Sequence, residues 1–325
     1  MRFPGVLFAD RTFPAAEDFL REAAPQARIE VTDLSSAGQL AAEVVVPLMT
    51  RIDGAVMDRV TGLRLIHQWG AGLEGVDVAA ATERGIAVGN VPSTASGNAD
   101  SVAEWCVMAA LALSRRLPGL QQSIRETAVW GGPLGQAMLG RTAGIIGLGG
   151  IGQALAARLA PFGMRLMAVT RRPDAARAVA VDWLRGMDGL PELLEHSDYV
   201  FVCLPLTEDT AGVVDAGALA RMRPTAFLCN VGRGGLVDEP ALLAALAGNQ
   251  LAGAALDVFA REPVPAASPL LAEPRVLATP HIAGVTDVSY AATARYLAEV
   301  IRRLAARQPL GHCVNWAALG EFYGR

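Results

Sequence analysis

Short runs of β-branched and apolar residues alternate with longer helical segments along most of this chain. The alternation predicts parallel strands with helices on both faces of a sheet, because parallel neighbours are joined by crossover helices. We expect strands at 5–9, 29–32, 44–48, 65–68, 86–90, 143–147, 165–170, 199–204, 226–231, 254–259 and 276–279, and helices at 15–24, 99–116, 151–162 and 287–306. The fold class is therefore α/β, with doubly wound parallel sheets.

The alternation forms two series, and the second starts near Thr142. A chain of 325 residues is long enough for two domains of ordinary size. We expect one domain to comprise 1–96 plus 286–325 and the other 97–285, connected by the helices at 99–116 and 287–306. The stretch 261–274 contains four prolines and is expected to be an irregular loop.

The composition excludes several classes of function. The formal net charge is -4, so the chain has no overall basic field that would attract nucleic acid or an anionic membrane, and we expect neither as a partner. All 28 basic residues are Arg, which excludes chemistry that needs a lysine amine.

The cysteines indicate a reducing environment. Cys106, Cys203, Cys229 and Cys313 are scattered and form no CxxC pair, so we expect neither a disulfide framework nor a metal site. The longest apolar stretch, 106–113, is far shorter than the roughly 20 residues that span a bilayer. The N-terminal segment reaches Asp10 too early for a signal sequence. These features predict a cytoplasmic protein.

A glycine-rich turn joins a strand to a helix at the start of the second series. The segment 147–152 reads GLGGIG, which matches GxGxxG through Gly147, Gly149 and Gly152 and also contains Gly150 and Ile151. The first glycine permits a tight turn, the second allows backbone to approach a pyrophosphate, and the third lets helix and strand pack closely. The helix N-terminus adds N–H groups and positive partial charge. The segment therefore predicts dinucleotide binding by the second domain.

The next strand ends in Thr170, Arg171 and Arg172. An NAD site normally has Asp or Glu at this place, to accept from the ribose 2′-OH. A neutral hydroxyl followed by two guanidinium groups suits a 2′-phosphate instead. The alternative interpretation is a solvated arginine pair. We expect NADP(H) to be preferred, with use of NAD(H) left open.

Three strand ends of the second series carry reactive groups. Arg233 lies among glycines after one strand, Glu262 follows the next, and His281 follows the last. Ligands of open α/β sheets bind beyond the carboxyl ends of strands, so these side chains are expected at one edge. Of the other histidines, His67 is expected to be a packed strand residue and His196 a surface residue. The sequence thus predicts a cation, a carboxylate and an imidazole beside a nicotinamide site.

These motifs make the chain recognisable. GLGGIG, NVGRGGLVDE, ALDVFAREP and TPHIAG occur in that order, with GAGLEGVD at 70–77 and NADSVAEWCVMAALALSRR at 98–116. Together they resemble the D-isomer-specific 2-hydroxyacid dehydrogenase family over essentially the whole chain. The resemblance implies two Rossmann-like domains, a flavodoxin-like substrate domain built from both ends of the chain and a dinucleotide-binding domain, and it implies a homodimer.

The resemblance also implies roles for individual residues. Arg233 would bind the substrate carboxylate and polarise the C2 carbonyl, His281 would donate a proton to the carbonyl oxygen, and Glu262 would orient His281. A neighbouring carboxylate favours the imidazolium form, which keeps the acid loaded near neutral pH. N–H groups of Gly70, Ala71 and Gly72 would hold the other carboxylate oxygen, with Met49 and Trp69 near the substrate. The cofactor site would further include Leu204, Pro205, Thr210, Val231, Gly232, Gly284 and Asp257, the last beside the nicotinamide carboxamide.

Departures from the family pattern restrict the range of possible substrates. The formate-oxidising branch has Gln where this chain has Glu262, which argues against formate. The phosphoglycerate branch has arginines where this chain has Pro47 or Leu48 and Gln68, so a phosphorylated substrate is disfavoured, although Arg51 could partly compensate. Glyoxylate, hydroxypyruvate or a larger apolar 2-keto acid stays open. The alternatives are a dinucleotide-sensing co-repressor on the same scaffold and a D-3-phosphoglycerate or phosphite type of oxidation.

Overall fold

The computed structural model describes residues 3–117, 120–127, 130–175, 177–310 and 313–323. It divides into two compact units: Met1–Gly97 with Thr286–Arg325 form unit 1, and Asn98–Val285 form unit 2. The boundaries expected from the sequence lie at 96/97 and 285/286, and the observed divisions lie at 97/98 and 285/286.

Unit 1 contains a parallel sheet of the flavodoxin type. Its strands are β1 (Gly5–Phe8), β2 (Arg28–Val31), β3 (Leu40–Ala41), β4 (Val44–Val46), β5 (Val60–Thr61), β6 (Leu65–His67) and β7 (Ala87–Gly89). In the described residues the main sheet has the order β2-β1-β4-β6-β7, and β3 pairs with β5 separately. Counted along the chain this is the order 2-1-3-4-5, which is the flavodoxin-like arrangement.

Unit 2 contains a longer parallel sheet of the Rossmann type. Its strands are β8 (Thr142–Ile146), β9 (Arg165–Val169), β10 (Trp183–Arg185), β11 (Tyr199–Val202), β12 (Phe227–Asn230), β13 (Gly253–Leu256) and β14 (Val276–Ala278). Among the described residues their order is β10-β9-β8-β11-β12-β13-β14. This is the dinucleotide-binding order 3-2-1-4-5-6 with one further strand at the edge. The predicted α/β class with two Rossmann-like domains is confirmed.

Most of the helices lie in the connections between strands, whereas α11 and α12 follow the last strand. They are α1 (Ala15–Ala23), α2 (Gly54–Asp58), α3 (Val78–Glu83), α4 (Asn98–Ser114), α5 (Leu120–Thr127), α6 (Gly150–Leu159), α7 (Leu190–His196), α8 (Ala216–Arg221), α9 (Glu239–Ala247), α10 (Pro269–Ala272), α11 (Asp287–Ala305) and α12 (Trp316–Tyr323). Side-chain oxygens of Asp53, Asp77, Asp215, Asp238 and Thr286 cap α2, α3, α8, α9 and α11 by accepting from a backbone N–H of the first turn.

Both faces of the unit 2 sheet are buried. Ile145, Phe201 and Cys229 belong to the cluster that contains residues of α4 and α6. Their neighbours in the strands, such as Val200 and Leu228, belong to the cluster with residues of α7, α8 and α9. Because successive strand residues face opposite sides, a sheet covered on both sides needs continuous apolar strands, and this is the sequence pattern observed.

Some details differ from the sequence predictions. The stretch 261–274 is not wholly irregular, since α10 lies within it, and a proline at the first helical position is compatible with a helix. β10 was missed because it is a short edge strand without buried residues. Most strands of the structure end one or two residues before the end that the sequence predicted. The residues that follow are not paired with the neighbouring strands and form loops at the carboxyl edge.

Two features are absent from the part of the chain that the structure describes. None of the helices there is long and apolar enough to cross a membrane. Within the same part of the chain, no group of three or more His, Cys, Asp or Glu side chains is placed to hold a metal ion.

Asn315 ties the C-terminal segment of unit 1 to its sheet. Its Oδ1 accepts from Val88 N at 2.9 Å, and its Nδ2 donates to Thr82 Oγ1 and to Ile86 O, each at 2.9 Å. The side chain is only 7% exposed, so water cannot replace these bonds if the amide is lost.

We therefore expect Asn315→Leu to destabilise unit 1 by about 2–4 kcal/mol, because it leaves buried backbone groups without partners. Urea unfolding followed by circular dichroism measures this change. The matched control is Gln308→Leu, which replaces an exposed amide of the same segment and should change stability by less than about 0.5 kcal/mol. Equal effects of the two variants would contradict the prediction.

Candidate active site

The glycine turn has the geometry that a dinucleotide pyrophosphate requires. Gly147 has φ +101°, and a Cβ there would lie 2.9 Å from Cys203 O, so only glycine fits this turn. A Cβ on Gly152 would lie 2.1 Å from Gly147 O, because helix α6 packs directly against the end of β8. A Cβ on Gly149 would meet no atom within 4 Å, so open space lies beside the N-terminus of α6. The residues present fit a bound pyrophosphate.

The end of β9 carries the polar groups expected for the ribose. Thr170 is half-buried, and its N–H donates to Arg185 O at 3.1 Å. Arg171 and Arg172 are exposed and form no ion pair with any described residue. Arg177 folds back on the same loop and donates to Pro173 O and Ala175 O, each at 2.7 Å. The loop that carries the guanidinium groups of Arg171 and Arg172 is therefore stabilised by the hydrogen bonds of Arg177.

Arg233 lies in a turn that Asn230 holds in shape. Asn230 is 1% exposed; its Nδ2 donates to Arg233 O at 2.9 Å and its Oδ1 accepts from Gly232 N at 3.1 Å. The Arg233 guanidinium donates through Nη1 to Gly232 O at 2.7 Å. A Cβ on Gly234 would lie 1.8 Å from the carbonyl carbon of Phe259, which brings the turn after β12 against the turn after β13.

Glu262 and His281 form a hydrogen-bonded pair. Nδ1 of His281 lies 2.8 Å from Glu262 Oε2, and Glu262 Oε1 accepts from Phe259 N at 2.8 Å. Side-chain exposure is 16% for Glu262 and 33% for His281, so the carboxylate is more buried than the imidazole it faces. The pair fixes the imidazole ring through Nδ1.

The electrostatics of this pair keep the carboxylate charged. Burial alone would raise the pKa of Glu262, but the hydrogen bond and charge of His281, the Phe259 N–H and the charge of Arg233 together outweigh it. The net result is a pKa below the ordinary glutamate value. Glu262 is therefore an anion at neutral pH.

Asp257 holds the loop that carries His281. Its Oδ1 accepts from Thr279 Oγ1 at 2.6 Å and Ile282 N at 2.8 Å, and its Oδ2 accepts from Ala283 N at 2.8 Å. Asp257 is 2% exposed, and His281 has φ +57°, a left-handed conformation that non-glycine residues adopt at a cost. Both carboxylate oxygens thus stabilise a strained loop. The expected contact of Asp257 with the nicotinamide stays a prediction.

The remaining expected cofactor residues lie on neighbouring loops of unit 2. Leu204 and Pro205 follow β11, and Thr210 Oγ1 donates to Pro205 O at 2.7 Å. Val231 is 6% exposed, and a Cβ on Gly232 would lie 2.6 Å from Leu204 O. Gly284 packs against Asn98, whose Oδ1 would lie 2.0 Å from an added Cβ. The glycines at 232 and 284 are therefore required by packing as well as by their place near the carboxyl edge.

The expected substrate residues of unit 1 lie after β4 and β6. Gly70 and Ala71 are exposed, and no described residue accepts from the N–H groups of Gly70, Ala71 or Gly72. Met49 is 38% exposed. Trp69 is 7% exposed and packs with Phe8 and Tyr290, so its ring belongs mainly to the core.

The sequence reasoning missed the residues that hold these loops. Asn230 fixes the Arg233 turn, and Asn90 Nδ2 donates to Ala71 O at 2.6 Å to fix the turn at 70–72. Asn230 ends a buried strand before a glycine-rich loop, and Asn90 follows a buried strand before a proline-containing loop. An asparagine in such a place was the sequence signal that could have identified them. His67 (0% exposed) and His196 (exposed, with Nδ1 2.8 Å from Glu192 O) lie where the sequence predicted.

Known proteins resemble this chain over most of its length. It is 36% identical over 321 residues to D-3-phosphoglycerate dehydrogenase of Mycobacterium bovis, which covers 97% of the chain and 59% of that protein. It is 36% identical over 265 residues to glyoxylate reductase of Korarchaeum cryptofilum, with 79% of the chain and 78% of that protein covered. The chain thus spans about three fifths of the length of the phosphoglycerate dehydrogenases that it matches.

Solved structures and a family model agree with these relatives. The NADPH-dependent glyoxylate/hydroxypyruvate reductase of Sinorhizobium meliloti, solved with NADP and malonate, superposes with a TM-score of 0.79 at 30% identity and 97% coverage of both chains. A Thermus thermophilus protein superposes with a TM-score of 0.81 at 31% identity, covering 95% of this chain and 99% of that one. Residues 107–283 match the model of the NAD binding domain of D-isomer specific 2-hydroxyacid dehydrogenases. The chain belongs to the D-isomer specific 2-hydroxyacid dehydrogenase family.

Proposed function

We propose that this protein reduces a small 2-keto acid to the D-2-hydroxy acid with NADPH. The observation that carries the proposal is the arrangement of Arg233, Glu262 and His281, which follow the adjacent strands β12, β13 and β14 of a sheet that also bears the glycine turn. Glu262 and His281 are in contact, and the charge of Arg233 acts on Glu262. One cation and one proton donor at a dinucleotide site are the groups that reduction of a keto acid needs.

In this mechanism Arg233 pairs with the substrate carboxylate and draws electron density toward the C2 oxygen. His281, held by Glu262 through Nδ1, passes a proton from Nε2 to that oxygen. Glu262 stays anionic and keeps the imidazole oriented by its contact with Nδ1. A nicotinamide dinucleotide held at the glycine turn 147–152 would supply a hydride to C2, so that the carbonyl would gain one hydride and one proton and become an alcohol.

The direct test is an assay of absorbance loss of NADPH with glyoxylate, hydroxypyruvate, pyruvate and phenylpyruvate. We expect turnover of at least one of them at an ordinary enzyme rate, on the order of 1–1000 per second. Absence of turnover with all four would remove the assignment.

The role of His281 is tested by His281→Asn. Asparagine tolerates left-handed φ better than most residues and its amide can still donate toward Glu262, so the loop should keep its shape while the proton donor is lost. We expect kcat to fall about 10²–10⁴-fold with NADPH binding unchanged, measured by steady-state kinetics and fluorescence titration. His196→Asn changes an exposed histidine of the same unit and should leave both quantities unchanged. A tenfold or smaller loss in His281→Asn would contradict the role.

We propose NADP(H) as the preferred cofactor on the basis of Arg171 and Arg172. Replacing both with Ala should raise KM for NADPH about 10–100-fold more than KM for NADH, since charge-assisted hydrogen bonds to the 2′-phosphate are lost. Arg165→Ala is the matched control, because Arg165 is an exposed arginine at the opposite end of β9. Equal effects on the two cofactors would show that the pair does not bind the phosphate.

A second candidate is a D-3-phosphoglycerate type of dehydrogenase, favoured by the 36% identity to the Mycobacterium bovis enzyme. Against it, the Gln68 amide donates to Leu48 O at 3.0 Å and accepts from Trp69 N at 2.9 Å. Neither Gln68 nor Leu48 carries a positive charge that could neutralise a phosphate. Comparing hydroxypyruvate with its phosphate ester, in both reaction directions, separates the two candidates.

We also propose a homodimer formed through unit 2. Trp130 is 83% exposed, Leu134 91% and Leu139 76%, and large apolar side chains so close in sequence support an interface between copies.

For the compartment we propose the cytoplasm. The four cysteines are free thiols, and burial raises the pKa of Cys203 to about 12 and that of Cys313 to about 11, so these two thiols stay protonated at neutral pH.

A further inference from the structure

The loop that carries Glu262 is bonded to the rest of unit 2 by few hydrogen bonds. It follows β13, which ends at Leu256, and residues 258–264 form no backbone–backbone hydrogen bond with any described residue. Two backbone N–H groups of this loop donate to described side chains. Phe259 N donates to Glu262 Oε1 at 2.8 Å, and Ala260 N donates to Glu239 Oε1 at 2.6 Å.

These two bonds differ in what they can hold. The bond to Glu262 joins residues three positions apart in the same loop, so it shapes the loop but moves with it. Glu239 lies 21 positions before Ala260 in the chain, on another element. Among the hydrogen bonds between described residues, the one from Ala260 N is therefore the bond that fastens the backbone of this loop to a separate part of unit 2.

Glu239 belongs to a rigid part of unit 2. It is the first residue of α9, and the Asp238 side chain before it caps this helix by accepting from Ala241 N at 3.0 Å. Asp238 N also donates to Val214 O at 3.0 Å. The helix is anchored in the core by three buried side chains, Leu242, Ala245 and Leu246. The acceptor oxygen thus has a fixed base, and a carboxylate makes a strong, short bond to an N–H group.

The segment after β12 touches the same peptide group a second time. A Cβ on Gly234 would lie 1.8 Å from the carbonyl carbon of Phe259 and 2.2 Å from Ala260 N, so the Phe259–Ala260 peptide lies directly against Gly234. One contact limits how near this peptide can come, and the bond to Glu239 limits how far it can move away. Together they fix the peptide relative to the turn that carries Arg233.

The position of this peptide is passed on to the imidazole. Glu262 follows Ala260 by two residues, and its Oε2 lies 2.8 Å from His281 Nδ1. The backbone around His281 is held separately, because Asp257 accepts from Ile282 N and Ala283 N. A shift of the loop after β13 would therefore turn the ring of His281 while leaving its backbone in place.

We propose that Glu239 is a positioning residue for the reaction. By accepting from Ala260 N it holds the loop after β13, and thereby Glu262 and the imidazole of His281, in the arrangement that proton transfer needs. This rests on the proposed function and deepens it. What matters is the acceptor oxygen at the start of α9, and not the negative charge that it carries.

The test compares Glu239→Leu, which removes the acceptor, with Glu239→Gln, which keeps an acceptor oxygen and removes the charge. Glu239→Leu should lower kcat about tenfold for the keto acid that the wild type reduces best, because small displacements of reacting groups are costly. KM for NADPH and for the keto acid should stay within about threefold, since the bond acts on the transition state and not on binding. Glu239→Gln should keep kcat within about threefold of the wild type.

The matched control is Asp238→Ala, at the neighbouring position. It removes the cap of α9 but has no bond to the loop after β13. We expect it to lower Tm by about 2–4 °C and to leave kcat unchanged. Glu239→Leu should show the opposite pattern, a lower kcat with little change of Tm.

The ring of His281 gives a measurement that does not depend on turnover. In ¹H–¹⁵N spectra of the histidine side chains, the signals of His281 are those that disappear in His281→Asn. Glu239→Leu should shift or broaden these signals, because the ring loses its fixed carboxylate partner. Glu239→Gln and Asp238→Ala should leave them where they are in the wild type.

A double variant shows whether Glu239 acts through Glu262. In Glu262→Gln the carboxylate that orients His281 is already lost, so the position of the loop has less to control. Adding Glu239→Leu to Glu262→Gln should therefore lower kcat by less than about twofold further. A full tenfold further loss would show that Glu239 acts by another route and would overturn the proposal.

Three other results would also overturn it. The first is a Glu239→Leu variant with the kcat of the wild type. The second is an equal loss in Glu239→Gln and Glu239→Leu, which would assign the effect to charge. The third is a set of His281 signals that Glu239→Leu does not change. A wild type inactive with every keto acid would instead remove the proposed function, and the spectra would still decide whether Glu239 positions the ring.

Discussion

The candidate site depends on crowding at the carboxyl edge of a parallel sheet. Parallel strands all deliver their following loops to one edge, and in unit 2 the adjacent strands β12, β13 and β14 deliver Arg233, Glu262 and His281. The loops approach so closely that Gly234 has no room for a Cβ against Phe259. Contact between Glu262 and His281 follows from this packing, since a hydrogen bond of 2.8 Å needs loops that can touch.

Each unit contains a loop with a left-handed residue that a carboxylate stabilises. His281 and Leu48 are both non-glycine residues with left-handed φ, and each lies in a loop after a strand. Asp257 holds the first loop and Asp10 the second, in each case by accepting backbone N–H groups from the loop of another strand. A carboxylate suits this task because it has several acceptor positions and makes strong bonds to N–H groups. In each unit the strained residue thus lies in a loop at the carboxyl edge of the sheet.

The sequence predicted the fold class and predicted that Arg233, Glu262 and His281 follow three strands of one sheet, as they do in the structure. Apolar strand runs and the glycine pattern are local signals, so most strands of the two main sheets and the turn at Gly147 could be predicted directly from the sequence. The positions of Arg233, Glu262 and His281 at strand ends followed from the same logic. The left-handed residues, the bonds of Asp257 and Asp10, and the short edge strand β10 could not be read, because each depends on a partner distant in sequence. The sequence showed Gln68 only as a replacement of an arginine of the phosphoglycerate branch. In the structure its amide donates to the carbonyl oxygen of Leu48.

The pairing of Asn315 with Val88 has a consequence during synthesis on the ribosome. These residues are 227 positions apart, and all of unit 2 lies between them in the chain. Residues 98–285 are therefore fully translated before the strands of unit 1 can receive their last hydrogen-bonding partner. The dinucleotide-binding unit can complete its folding as a nascent chain. The strands of unit 1 are translated first, but they obtain their last hydrogen-bonding partner only when the C-terminal segment has been made.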